Sequence, residues 1–190
     1  MTQDTSFTAQ FEKNQYIITG ITLHGERGAV IGSDTVYYLD SVTLTAIANY
    51  GYHFDHWNDI NVDNPRQIQA TQDITHTAYF DYNQYNITLN VDTAIHGMCF
   101  GVGNYDYLSN CTITANANYG YHFTQWNDSN TDNPRVIILT QDTSFTARFV
   151  KNQYTVDVMP SHTDRGNVTG GSNVDYLDSV TLTATANYGY

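Results

Sequence analysis

SVTLTAIANYGYHFDHW, residues 41–57, decides how this chain folds. Its first half alternates. Val42, Leu44, Ala46 and Ala48 fall on one face and Ser41, Thr43, Thr45 and Ile47 on the other, which is the two-residue period of a half-buried strand. In the Asn-Tyr-Gly-Tyr corner that follows, Gly51 stands where the backbone needs a positive φ. Phe54 and Trp57 are then three residues apart, an odd spacing for one strand face, so both reach a core only across a β-bulge. The stretch returns as NCTITANANYGYHFTQW at 110–126 and begins again as SVTLTATANYGY at 179–190.

Asn49, Asn118 and Asn187 stand 69 residues apart, as do Tyr16, Tyr85 and Tyr154, the pair Trp57 and Trp126, and the pair Pro65 and Pro134. No insertion or deletion interrupts the step, so the chain is a tandem array, which overrides the one or two ordinary domains that its length suggests. Residues 1–12 read as the closing strand of a preceding unit, 13–81 as repeat module one, 82–150 as repeat module two and 151–190 as a truncated third. Both ends then fall inside a repeat. A longer parent protein is expected, and both ends are expected to be less ordered than 13–150 unless residues 1–12 replace the missing closing strand of the third copy.

The copies also distinguish inside from outside. In QDTSFTARF the inward set is Thr143, Phe145, Ala147 and Phe149; in NQYNITLNV it is Tyr85, Ile87, Leu89 and Val91. Inward slots stay apolar between copies (Phe11, Phe80 and Phe149; Leu44, Ile113 and Leu182), whereas outward slots drift (Gln10, Tyr79 and Arg148; Ile47, Asn116 and Thr185). That is the signature of an antiparallel sheet with one face on a core and one in water. No segment carries a 3.6-residue apolar stripe. The expected fold is all-β: small antiparallel modules of about six short strands each, sandwich- or barrel-like, with Phe54, Trp57 and Phe80 at the core of one and Phe123, Trp126 and Phe149 at the core of the next.

Seven Lys+Arg against 19 Asp+Glu give a net charge of −12, which repels phosphate, so nucleic acid and anionic membrane surfaces are expected to be poor partners. No apolar run is long enough to span a bilayer as a helix, and no signal peptide follows Met1. The two cysteines, Cys99 and Cys111, stand in slots that hold Val30 and Val42 in the first copy, so they read as free thiols serving as small apolar side chains. A disulfide between them is the alternative.

The ordered set of motifs resembles a known family. An opening Tyr-x-Ile strand, a Gly-x-Val-x-Gly strand, SVTLTATA, Gly-Tyr-x-Phe-x-x-Trp, Asp-Asn-Pro and a closing TQDTSFTARF are similar to the divergent internalin B-type repeats, bacterial modules of roughly 70 residues, a size at which one small domain can fold. The resemblance covers essentially the whole chain. It implies a compact β-grasp-like or sandwich-like module without a catalytic site, carried in tandem by secreted or surface-anchored bacterial proteins. His53 and His122 inside Gly-Tyr-x-Phe, and the lack of a glycine before the tryptophan, depart from the common pattern.

Asp59-x-Asn61-x-Asp63 and Asp128-x-Asn130-x-Asp132 match the first half of a calcium loop, with oxygen ligands at alternate positions. The place of the bidentate glutamate holds Ala70 or Leu139, and the competing reading is an exposed loop capped by its own Asp and Asn side chains. No cofactor is expected, with calcium as the alternative. His53 and His56 form an H-x-x-H pair of zinc type, which the second copy breaks with Gln125 beside His122. His76 takes the slot of Phe7 and Phe145 and reads as a partly buried ring. Tyr37, Tyr38, Tyr105, Tyr107 and Tyr176 lie in one hairpin region; Tyr38, Tyr107 and Tyr176 repeat in every copy, which makes them glycan-stacking candidates against the reading of ordinary strand tyrosines. Val136 and Ile138 point outward where the first copy has Gln67 and Gln69, a candidate contact surface. No acid–base pair recurs, so no enzyme is expected. The resulting expectation is an extracellular, non-catalytic spacer whose partners are its neighbouring modules, with adhesion to a glycan or a host surface protein as the alternative.

Overall fold

A computed structural model describes residues 4–190. The chain divides into two compact units, Met1–Gln84 and Tyr85–Tyr190. Among the described residues every regular element is a strand.

The first unit holds β1 (Gln15–Thr22), β2 (Gly28–Ile31), β3 (Asp34–Tyr37), β4 (Ser41–Ala48), β5 (Tyr52–Trp57), β6 (Arg66–Gln69) and β7 (Ile74–Tyr82). They form a four-stranded sheet in the order β3-β1-β7-β5 and a three-stranded sheet in the order β2-β4-β6. The module therefore has seven strands where the sequence suggested about six; the extra one is the four-residue β3, too short to show a period. β1 and β7 run parallel, with Ile18 opposite Ile74 and Thr22 opposite Ala78. This corrects the expectation of purely antiparallel pairing. The opening and closing strands are joined through the whole module, and a connection of that length allows the parallel direction that a hairpin forbids.

The inward alternation of β4 is seen as expected, with Val42, Leu44 and Ala46 buried. These side chains meet Ile18, Ala78 and Phe80 of the other sheet in one core that also holds the fully buried Trp57. A register shift between Phe54 and His56 is the bulge that the Phe54–Trp57 spacing demands, and it sets the two rings 5.3 Å apart. Gly28 starts β2 against this core, where a Cβ would lie 2.6 Å from both the Ile47 carbonyl and the Phe80 ring. Only a glycine fits there.

The second unit repeats the plan with β8 (Gln84–Val91), β9 (Gly97–Phe100), β10 (Gly103–Asp106), β11 (Asn110–Ala117), β12 (Tyr121–Trp126), β13 (Arg135–Ile138) and β14 (Thr143–Lys151). Its sheets are β10-β8-β14-β12 and β13-β11-β9. Ile87, Ile113, Trp126 and Leu139 are its most deeply buried large side chains. Cys99 and Cys111 are free thiols, half-buried and buried respectively, and burial pushes both above the usual thiol pKa. β15 (Gln153–Val156) pairs with β17 (Ser172–Asp175), and β16 (Gly166–Thr169) with β18 (Thr183–Ala186).

Inward slots are exposed near both ends. Residues 4–14 form no strand, and Phe7 and Phe11 are 91% and 92% exposed. In the complete modules the closing strand lies between two flanking strands, and among the described residues no strand flanks 4–14. Leu182 is likewise exposed. Its counterpart Leu44 pairs with β6, and among the described residues no strand pairs with Leu182.

Candidate functional site

The acidic loops leave the Trp57 and Trp126 ends of β5 and β12. Their geometry is the same twice. The Asn61 carbonyl accepts from the Trp57 backbone N–H at 2.8 Å, and the Asn61 side chain accepts from the Asp63 N–H at 2.8 Å. The Trp57 indole N–H donates to the Asp63 carbonyl at 2.9 Å. Arg66, first residue of β6, grips Asp59 with both terminal nitrogens, one at 2.7 Å. That bidentate pair, chiefly its hydrogen bonds, brings the Asp59 carboxyl down to about 2. In the second module Trp126 donates to the Asp132 carbonyl at 2.9 Å, Asn130 accepts from the Asp132 N–H at 2.8 Å, and Arg135 holds Asp128 at 2.9 and 2.7 Å, lowering its carboxyl too. The six calcium candidates are thus in one loop per module; arginine holds Asp59 and Asp128, and the Asn61 and Asn130 carboxamides donate to Asp63 and Asp132. A cation there would face a guanidinium. Among the described residues no three His, Cys, Asp or Glu side chains converge into a metal-sized group.

Asn64 and Asn133, with the prolines after them, carry a role that the sequence reading left in a polar loop. Asn64 accepts from the Ala46 N–H at 2.9 Å and donates to the Ala46 carbonyl at 2.7 Å; Asn133 does the same with Ala115 at 2.9 and 2.6 Å. The recurrence of Asp-Asn-Pro-Arg at one period was the available signal.

The histidines do not gather. His53 Nδ1 meets Asn83 Oδ1 at 3.0 Å, while His56 pairs with Asp55 at 2.8 Å and stacks on Tyr79 at 4.9 Å. His122 repeats the first contact with Asn152 at 2.7 Å. His76 is only 4% exposed, deeper than the partly buried ring expected. It sits edge-on to Trp57 at 6.3 Å with Nδ1 3.4 Å from the Arg66 guanidinium. An arginine can only donate, so Nδ1 accepts and the ring proton lies on Nε2, which is buried with no hydrogen-bond partner. Burial, then the Arg66 charge, lower the His76 pKa, with Asp59 opposing. Phe145 fills the equivalent slot in the second module, with Arg135 4.7 Å above its ring.

A pH dependence follows. His76 stays neutral in the folded module and protonates in the unfolded chain below about pH 6.5. Its contribution is therefore complete above that pH and is lost as pH falls, at up to about 1.4 kcal/mol per pH unit, until the lowered folded pKa is reached. Thermal unfolding at pH 7.5 and 5.0 should show the first module losing stability on acidification, and His76→Phe should remove most of that difference while raising stability by roughly 1–2 kcal/mol, since it deletes an unsatisfied buried N–H. Equal pH dependence in wild type and variant would refute this.

Of the glycan candidates, Tyr38 is 44% exposed and packs edge-on to Tyr16 at 6.3 Å. Tyr107 meets Tyr85 in the same way at 6.2 Å. Tyr176 is half-buried among Tyr119, Tyr121 and Tyr154. Each of the three rings thus packs against another tyrosine. Val136 and Ile138 point outward as expected, more than 60% exposed.

Repeated all-β modules, each closed around one tryptophan and stitched by its own loop, define a tandem structural repeat protein. The family model of the divergent InlB B-repeat domain matches residues 19–84 and 87–153, and the chain belongs to that family. Domains of this family occur in bacterial surface or secreted proteins, are repeat domains of those proteins and are not known as catalytic. No curated protein and no solved structure matches the chain.

Proposed function

We propose that this chain is a non-catalytic spacer of a bacterial cell-surface or secreted protein, working outside the cell to hold other domains at a distance. The observation that carries this reading is what repeats and what does not. The tryptophan–carbonyl bond, the asparagine clamp and the arginine–aspartate pair recur at the 69-residue step. Exposed positions change freely: Ile47 becomes Asn116, Tyr79 becomes Arg148, and Gln67 and Gln69 become Val136 and Ile138. A binding site in each repeat would keep its surface; a spacer needs only to keep its modules folded. Nothing in this role calls for a cofactor, and the Asp59 and Asp128 carboxylates are paired with Arg66 and Arg135. Arrays of this kind gain length by adding modules whose stabilities nearly sum.

Against a glycan array and a panel of host surface proteins, the immobilised chain should give no saturable binding. Saturable binding that is abolished by replacing one exposed cluster, such as Tyr37 and Tyr38, would overturn the spacer reading in favour of adhesion.

A further inference from the structure

Within the second unit, the corner that ends one repeat receives the turn that opens the next. Gly120 lies in the Asn118–Tyr121 corner at φ +86°, and a Cβ on it would fall 2.2–2.5 Å from three ring atoms of Tyr176. The Tyr176 ring thus rests on bare backbone. Tyr119 and Tyr121 stand edge-on to it at 5.6 and 5.7 Å, and the tilted Tyr154 ring lies 6.4 Å away. Asn152 ties the two parts by backbone: its N–H donates to the Gly120 carbonyl at 2.8 Å, and its carbonyl accepts from the Tyr176 N–H at 2.9 Å. Lys151 reaches Asp178, two residues beyond Tyr176, at 2.6 Å. Only Asn152 separates β14 from β15, so few torsions remain free once these contacts form.

We propose that the Asn-Tyr-Gly-Tyr corner is a socket for the tyrosine of the following repeat's Tyr-Leu turn, and that this plug-and-socket contact holds Tyr85–Lys151 and Gln153–Tyr190 in one fixed arrangement. The contact explains two features that the spacer role leaves open. Tyrosine repeats at positions 38, 107 and 176 although surface residues nearby drift, and glycine repeats in a corner whose left-handed backbone an asparagine would also tolerate. A side chain of any kind at 120 would occupy the ring's place. The partner class is a second repeat bearing the same turn. The third corner, Asn187–Tyr190, has the same residues with Tyr188 fully exposed, and so presents a socket of the same design. The inference deepens the spacer reading, because a spacer keeps its reach only if its joints are stiff, but it is tested separately.

Trypsin cleavage after Lys151 reads the joint directly in the full chain. Tyr176→Ala should accelerate cleavage there about tenfold, the equivalent of a ring contact worth about 1.4 kcal/mol. Tyr176→Phe should leave the rate unchanged, since the ring and not the hydroxyl makes the contact. Tyr38→Ala, the same turn in the first unit, should not alter cleavage after Lys151. Because loss of the ring in Tyr176→Ala also removes packing from the third repeat, Gly120→Ala attacks the joint from the socket side. It should accelerate the same cut while the amide chemical shifts of β16 and β18 stay in place. A rate within twofold of wild type for both variants, acceleration by Tyr38→Ala as large as by Tyr176→Ala, or loss of the β16 and β18 shifts in Gly120→Ala would overturn the proposal. None of these results bears on whether the chain binds a ligand.

Discussion

Trp126→Ala should unfold the second module under conditions where the first stays folded. The indole is fully buried at the centre of its core, against Phe123 at 5.4 Å and Phe145 at 6.2 Å. Truncating such a ring costs about 3–5 kcal/mol through lost burial and the cavity left behind. The loss of its N–H bond to the Asp132 carbonyl adds about 1 kcal/mol, because that carbonyl anchors the loop leading into β13. Small domains hold only about 5–15 kcal/mol in total, so little stability remains. Urea unfolding followed by fluorescence would then report Trp57 alone, and its transition should keep the wild-type midpoint because Trp57 belongs to a separate core. Trp126→Phe should fall between the two, keeping most of the apolar contact and losing the hydrogen bond. A Trp126→Ala chain with both modules intact would mean that the core is organised elsewhere.

Much of this architecture was legible from side-chain order alone. Alternation in 41–48 gave the buried face of β4, and the odd Phe54–Trp57 spacing gave the bulge, because each is a local consequence of strand geometry. The parallel pairing of β1 with β7 was not legible. It depends on which strands meet across a connection of more than 50 residues, and alternation is identical for both directions. The partners of the acidic loop were not legible for a related reason. Asp59, Asn61 and Asp63 alternate as cation ligands do, but the same spacing lets Asp59 and Asn61 each accept from the backbone N–H two residues on and lets the Asn61 carboxamide donate to Asp63, while Arg66 holds both Asp59 oxygens. Tyr176 looked like a surface ring because its cover comes from residues 119–121, more than 50 positions away in sequence.

Asn133→Ala should destabilise the second module by roughly 2–4 kcal/mol, a large effect for a loop residue, because two buried backbone groups lose their partners at about 1–3 kcal/mol each. The register shows why. β11 pairs with β13 up to Ile113 opposite Arg135; the next rung on that side would set Ala115 opposite Asn133. Pro134 intervenes, and a proline has no N–H to continue a ladder. The Asn133 carboxamide supplies the rung instead, one oxygen accepting from the Ala115 N–H and one N–H donating to its carbonyl. Ala115 is buried, so water does not replace the missing amide. Leu44, Arg66, Ala46 and Asn64 repeat the arrangement in the first module, so Asn64→Ala should act alike there and leave the second transition in place. The decisive variant is Asn133→Asp. It fills the same volume and still accepts from the Ala115 N–H, but it sets a carboxylate oxygen against the Ala115 carbonyl. It should be no more stable than the alanine variant near neutral pH. If Asn133→Asp kept wild-type stability, the donor half of the clamp would be dispensable and the residue would be only a turn former.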